Sequence, residues 1–102
     1  MRIDKFLKLT GVFKSREQAR KACRYGSVKL NDEVAKPASE IAVGDTIEIS
    51  LPTRHVILKV LRIPGKNVPR KDRHLFVEII EDRHIKPHET ESFWDSLPGE
   101  EL

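Results

Sequence analysis

Ser15-Arg16-Glu17-Gln18-Ala19-Arg20-Lys21-Ala22-Cys23-Arg24-Tyr25-Gly26, followed at once by Ser27-Val28-Lys29-Leu30-Asn31-Asp32-Glu33-Val34, is the stretch in which the chain changes its hydrophobic period. Ala19, Ala22 and Cys23 recur at intervals of three and one, the spacing that puts them on one side of a helix. Their small size predicts close approach to a neighbour. Ser15 stands where an N-cap belongs, and Gln18 three residues on completes a capping box. Gly26 is placed to end the helix in a left-handed conformation after Tyr25. Beyond it Val28 and Leu30 alternate about Lys29, a period of two. Asn31-Asp32 then supplies a two-residue turn, and Val34 opens the returning strand.

Working outward, Ile3, Phe6 and Leu7 form a second helical stripe, with Arg2, Asp4, Lys5 and Lys8 expected to face more outward and Thr10-Gly11 to end the helix. On the other side, Lys36-Pro37 closes the hairpin region and Ile41 and Val43 are expected as apolar anchors. Gly44-Asp45 reads as a turn with Asp45 capping backbone groups. Ile47, Ile49 and Leu51 alternate in a strand that Pro52 stops. A further strand is predicted over 56–63, with Val56, Leu58 and Val60 on one face, then a basic loop over 64–73 and a last strand over 75–80. These elements predict an α+β fold, two short N-terminal helices packed on a small antiparallel or mixed sheet of four to five strands. The expected organisation is one domain over 1–82 and an acidic tail over 83–102, in which Phe93 and Trp94 are potential anchors.

A chain of 102 residues, 38% hydrophobic, has room for one core and no second domain of ordinary size. No uncharged apolar run approaches the roughly 20 residues that span a bilayer. The acidic residue at position 4 and the absence of an apolar leader argue against secretion, so a cytoplasmic location is expected. A single cysteine, Cys23, excludes an internal disulfide and a thiolate zinc cluster.

The net charge of +3 conceals a segregated distribution. Residues 1–36 carry ten Lys/Arg against four Asp/Glu, and residues 51–74 carry seven against one. Residues 75–102 carry two against eight. Two basic blocks can converge on a polyanion-binding face if the fold joins them. On the second helix Arg16, Arg20 and Arg24 repeat at i, i+4, a spacing at which like charges destabilise a helix by about 0.2–0.5 kcal/mol per pair. An anionic partner would offset that repulsion; alternatively Glu17 pairs with Lys21 and the remainder is solvated. Arginine suits phosphate because its planar fork makes two directed hydrogen bonds. Gln18 and Lys21 lie beside the arginines, Lys5, Lys8 and Lys14 extend the patch, and Tyr25 either stacks on a base or packs beside Gly26. Arg62, Lys66, Arg70, Lys71 and Arg73, with Arg54 and Lys59, make the second block, either gripping more backbone beside the helices or forming a solvated hairpin end.

Catalytic machinery is not legible. His55, His74, His84 and His88 lack metal-ligand spacing, Cys23 falls on the apolar stripe, and there is no glycine-rich phosphate loop or nucleophile elbow. The expectation is a protein that is no enzyme and needs no cofactor or metal.

Arg2-Ile3-Asp4-Lys5-Phe6-Leu7, Ser15-Arg16 with Ala19, Gly26-Ser27-Val28-Lys29-Leu30-Asn31, Lys36-Pro37 and Gly44-Asp45-Thr46-Ile47 together resemble the alpha-L RNA-binding domain of the ribosomal protein S-four type. The resemblance covers about half the chain, with Asp32 where glycine is common. It implies an RNA face of helical pair and hairpin, with roles for Arg2, Lys5, Arg16, Gln18, Arg20, Lys21, Lys29 and Asn31. Because the domain fills most of the chain, the similarity is to free-standing bacterial members, the heat-shock protein fifteen type and the small RNA-binding partner of a nascent-chain quality-control factor. By that resemblance the partners would be large-subunit ribosomal RNA on the 50S particle and tRNA, in quality control of stalled 50S–peptidyl-tRNA complexes, with no membrane. The alternative is a protein-interaction module acting through the acidic, aromatic-containing tail.

Overall fold

Both helices form where their caps place them. In the computed structural model, which describes residues 1–52 and 54–84, α1 spans Ile3–Leu9 and α2 spans Arg16–Arg24. The Ser15 hydroxyl accepts from the Gln18 backbone N–H at 3.1 Å, which is one half of the expected capping box. The Gln18 side-chain oxygen is buried without a hydrogen-bond partner, so the reciprocal half is not made. Gly26 adopts φ +76°, and its N–H and that of Ser27 reach back to Cys23 and Ala22 carbonyls, a Schellman closure. The first N–H groups of α1 have no side-chain cap; Ile3 and Asp4 donate instead to the carbonyls of Ser39 and Pro37.

The sheet is wholly antiparallel and has five strands in the order β2-β1-β3-β4-β5. These are β1 (Val28–Leu30), β2 (Glu33–Val34), β3 (Thr46–Leu51), β4 (Arg54–Val60) and β5 (Val77–His84). The β1–β2 connection is a two-residue turn with both residues at positive φ, Asn31 at 52° and Asp32 at 74°, the primed geometry that matches strand twist. Val28, Ile47, Ile49, Leu51, Val56, Leu58, Val60 and Val77 face one side of the sheet, where Ile3, Phe6, Leu7, Phe13, Ala19, Ala22 and Cys23 cover them in a single core. Each large side chain withdrawn completely from water, such as Phe6 or Leu58, contributes about 1.5–3 kcal/mol.

Several boundaries differ from the sequence reading for physical reasons. Strand β4 starts at Arg54 and stops at Val60 rather than covering 56–63, because the backbone N–H groups of Leu61 and Arg62 both converge on the carbonyl of Phe76 and end the ladder. Leu75 belongs to a 3₁₀ helix, Arg70–Leu75, not to the last strand; the basic loop over 64–73 is therefore partly helical. Strand β5 runs to His84 with a register shift that leaves Ile80 as a bulge. Val43, expected as an anchor, is 62% exposed, whereas Ile41 is buried. Asp4, expected to face outward, is fully buried. Of the tail expected over 83–102, Arg83 and His84 belong to β5, and the remainder, with His88, Phe93 and Trp94, lies outside the described residues. Among the described residues no helix is long and apolar enough to cross a membrane.

Candidate nucleic-acid interface

The buried carboxylate of Asp4 organises the basic surface of the helical pair. Arg2 donates from Nη2 to Asp4 Oδ2 at 3.3 Å, and Arg16 Nε lies 3.3 Å from the same oxygen without hydrogen-bonding alignment. One acid thus brings together an arginine from the start of α1 and one from the start of α2. The side chains of the two arginines remain 44% and 40% exposed, so each is still accessible to an anion from solvent. Asp4 itself was not picked out as functional by sequence reasoning. Its signal was present: an acid between Arg2 and Lys5 inside an apolar stripe has to pair with a cation once the stripe is buried.

Along α2 the repulsion inferred among three arginines is partly relieved within the protein. Arg20 donates to Glu17 one turn back, so Glu17 pairs with Arg20 rather than with Lys21. That hydrogen bond and the Arg20 charge hold the Glu17 carboxyl below its ordinary value and raise the guanidinium in return. Arg24 and Tyr25 stand exposed at the other end, Tyr25 at 69%, which resolves the packing alternative for Tyr25 in favour of an open ring. Lys5 and Lys14 are exposed, and Lys8 and Lys21 partly so. Arg2, Lys5, Lys8, Arg16, Arg20, Lys21 and Arg24 therefore share the outer side of one helical layer.

The hairpin does not extend that layer as the resemblance implied. Lys29 is in register with Glu48 and alternates with buried Val28, so it stands on the opposite face of the sheet from the helices. The Asn31 side chain is committed to the neighbouring Gly44-Asp45 turn and the start of β3: Nδ2 donates to Asp45 at 3.1 Å and Oδ1 accepts from the Thr46 N–H at 2.9 Å. Asp45 also accepts from the Ala42 N–H at 2.8 Å, the backbone-capping role read from Gly44-Asp45.

The second basic block divides. Arg54 makes a two-pronged contact with Asp82, which keeps its guanidinium protonated. Arg62 lies over the Phe76 ring at 5.8 Å. The segment carrying Lys66, Arg70, Lys71 and Arg73 packs against the end of α1. The Val68 N–H donates to the Leu9 carbonyl at 2.8 Å, and Lys8 Nζ donates to Asn67 Oδ1 at 3.2 Å. Of the two arrangements left open for this loop, the structure adopts the one beside the helices. Asn67 and Gly11, which make that junction, had no distinguishing sequence signal.

The enzyme candidates are accounted for structurally. Cys23 is buried in the core, and burial pushes its thiol up to about 11. His55 Nε2 contacts Glu48 at 2.6 Å on the sheet's outer face, beside the Arg83–Glu81 pair. Among the described residues no group of His, Cys, Asp and Glu has an arrangement able to hold a metal.

Comparison with known proteins places this geometry. Residues 1–47 match the model of the S4 domain. The chain is 45% identical over 78 residues to the RQC P-site tRNA stabilizing factor of Helicobacter pylori (strain J99), an alignment covering 76% of this chain and 93% of that protein. The solution structure of a hypothetical protein, HP1423, superposes with a TM-score of 0.68 at 44% identity, covering 78% of this chain and 95% of the other. A trimeric heat shock protein 15 from Vibrio cholerae superposes with a TM-score of 0.73 at 22% identity over 78% of this chain and 80% of that one, a likeness of fold.

Proposed function

Since the chain belongs to the S4-domain family of noncatalytic RNA-binding modules, we propose that it binds large-subunit ribosomal RNA and tRNA on stalled 50S particles, in ribosome-associated quality control. The observation that carries the finer reading is the match to the P-site tRNA stabilizing factor, which covers 93% of that protein over 78 residues and so extends beyond the 47 residues that match the S4-domain model. The geometry supports it chemically. Arg2 and Arg16 are held at Asp4 with their side chains still partly exposed, and Lys5, Lys21 and Arg24 are exposed or partly exposed on the same helical pair. Guanidinium groups so held lose little freedom on meeting a phosphate.

The test is co-sedimentation with purified 50S, 30S and 70S particles across a salt series. Retention is expected mainly on 50S, falling with salt. The Arg16→Ala, Arg20→Ala variant should bind roughly tenfold or more weakly and show a salt slope shallower by about 1 to 2. Unchanged 50S affinity in that variant would overturn the assignment of the helical face. Equal retention on all particles would remove the large-subunit reading and leave RNA binding alone.

A further inference from the structure

Residues 64–73 hold Lys66, Arg70, Lys71 and Arg73 against a single acid, Asp72. Several arginines elsewhere in the domain have carboxylate partners: Asp4 for Arg2 and Arg16, Glu17 for Arg20, Asp82 for Arg54, Glu81 for Arg83. Among the described residues Lys66, Arg70 and Lys71 are exposed and have no such ion pair. Arg73 is partly buried, and both its burial and the neighbouring Arg70 charge press its guanidinium towards the neutral form. Concentrated like charge of this kind opposes folding, so a merely solvated loop would relax by spreading outward.

This loop is instead pinned. Besides the Val68–Leu9 and Lys8–Asn67 bonds, the Arg73 guanidinium lies against Gly11, where a Cβ would come within 2.7 Å of Nη2. Pro64 and Pro69 remove backbone freedom on either side, and the 3₁₀ helix follows directly. The pinning points, Leu9 and Gly11, are at the C-terminal end of α1, whereas the Asp4 cluster is at its start. At 1.5 Å per residue the seven residues of α1 span about 10 Å, so the backbone points that pin the loop lie one helix length from the Asp4 cluster.

We propose that Lys66, Arg70 and Lys71, locked to α1 through Gly11 and Asn67, form a second phosphate-backbone site, so that the domain selects folded RNA presenting two backbone segments over a single flexible strand. The inference rests on the helical face being an RNA site. A flexible strand pays in ordering to follow two separated centres, whereas a folded RNA presents both segments already placed.

The experiment compares the unaltered full chain, the Lys66→Gln, Lys71→Gln variant and the Arg16→Ala, Arg20→Ala variant, each binding purified 50S particles and poly(U) over a salt series. Both lysines are exposed, Lys66 in the loop and Lys71 in the first turn of the 3₁₀ helix, so thermal melting of the variant should match the parent. The expected result is roughly tenfold weaker binding to 50S by the loop variant, a slope shallower by about 1.5, and less than about threefold loss on poly(U). Unchanged 50S affinity in the loop variant, with loss in the helical variant, overturns the second site and leaves the proposed function standing. Equal losses on 50S and poly(U) overturn selection of folded RNA. No loss in either variant overturns the helical RNA site, and this inference with it.

Discussion

Replacing Asp4 by Asn tests whether one buried acid arranges the basic face. Its Oδ2 is 3.3 Å from both Arg2 Nη2 and Arg16 Nε. At an effective dielectric of about 20, each contact corresponds to about 5 kcal/mol of Coulombic attraction. Most of this is offset by desolvation of a carboxylate with no exposed surface, a cost of several kcal/mol. The arginines are 44% and 40% exposed, so water re-solvates them when the acid is neutralised, which puts the loss below the 3–5 kcal/mol typical of a stranded buried charge. The expected destabilisation is about 2 kcal/mol, or about 8–16 °C in Tm for a domain of this size. Urea titration followed by circular dichroism measures it. A change under about 0.5 kcal/mol would refute the reasoning about stability. The functional sign is sharper still. Asp4→Asn raises the net charge by one, so charge counting alone predicts tighter RNA binding, whereas loss of the arrangement of Arg2 and Arg16 predicts weaker binding to 50S. Tighter binding would show that Asp4 merely neutralises the arginines.

Arg16→Ala should weaken RNA binding more than Arg20→Ala, because phosphate must displace exposed Glu17 from Arg20 but can add to the free donors of Arg16; single-variant titrations on 50S rank them. Gly11→Ala forces a residue with a Cβ into φ +77° and expels the Arg73 guanidinium, with an expected loss of about 1–2 kcal/mol by urea titration and weaker retention on 50S. Asp32→Gly relieves φ +74° at the hairpin tip and should stabilise by up to about 1 kcal/mol in the same assay. Cys23 should resist iodoacetamide in the folded protein at pH 8. Its raised value means that folding stability is fully present below about pH 9 and declines as pH rises towards 11, where the unfolded thiol ionises first; alkylation at pH 8 as fast as in urea would contradict this.

The elements that could be read from the chain are those with local causes. Ser15, Gly26 and the 3,4-spaced small residues define α2 within its own sequence, and Asn31-Asp32 marks a two-residue turn by residue type, although Asp45 and Thr46 also hold Asn31 in place. What could not be read depends on partners far along the chain. Asp4 is buried because the segment 37–41 lies over the start of α1, taking the N–H groups of Ile3 and Asp4, while Arg16 closes from the next helix. The early end of β4 depends on the Phe76 carbonyl, and the position of the basic loop depends on Asn67 reaching Lys8, 59 residues away. Polar residues at i and i+59 leave no periodicity to detect. Charge segregation correctly marked two basic blocks but not that Arg54 would be consumed by Asp82, or that Lys29 would fall behind the sheet.

The two basic centres solve the same electrostatic problem differently, and the difference bears on what each can contribute to recognition. At the helical pair, repulsion among arginines is relieved by acids: Asp4 from beneath, occupying only one edge of each guanidinium, and Glu17 from the surface, competing with any phosphate. The buried acid leaves geometry behind it, so Arg2 and Arg16 can favour one phosphate position over another. At residues 64–73 Lys66, Arg70 and Lys71 have no carboxylate partner among the described residues, and the backbone is fixed instead, by two prolines, the Leu9 carbonyl and the space that Gly11 leaves for Arg73. Lysines on such a loop act as point charges with little directional preference. If both centres bind RNA as proposed, direction at the first and charge at the second divide the work: arginine forks set the orientation, and the second contact adds affinity to RNA already correctly placed.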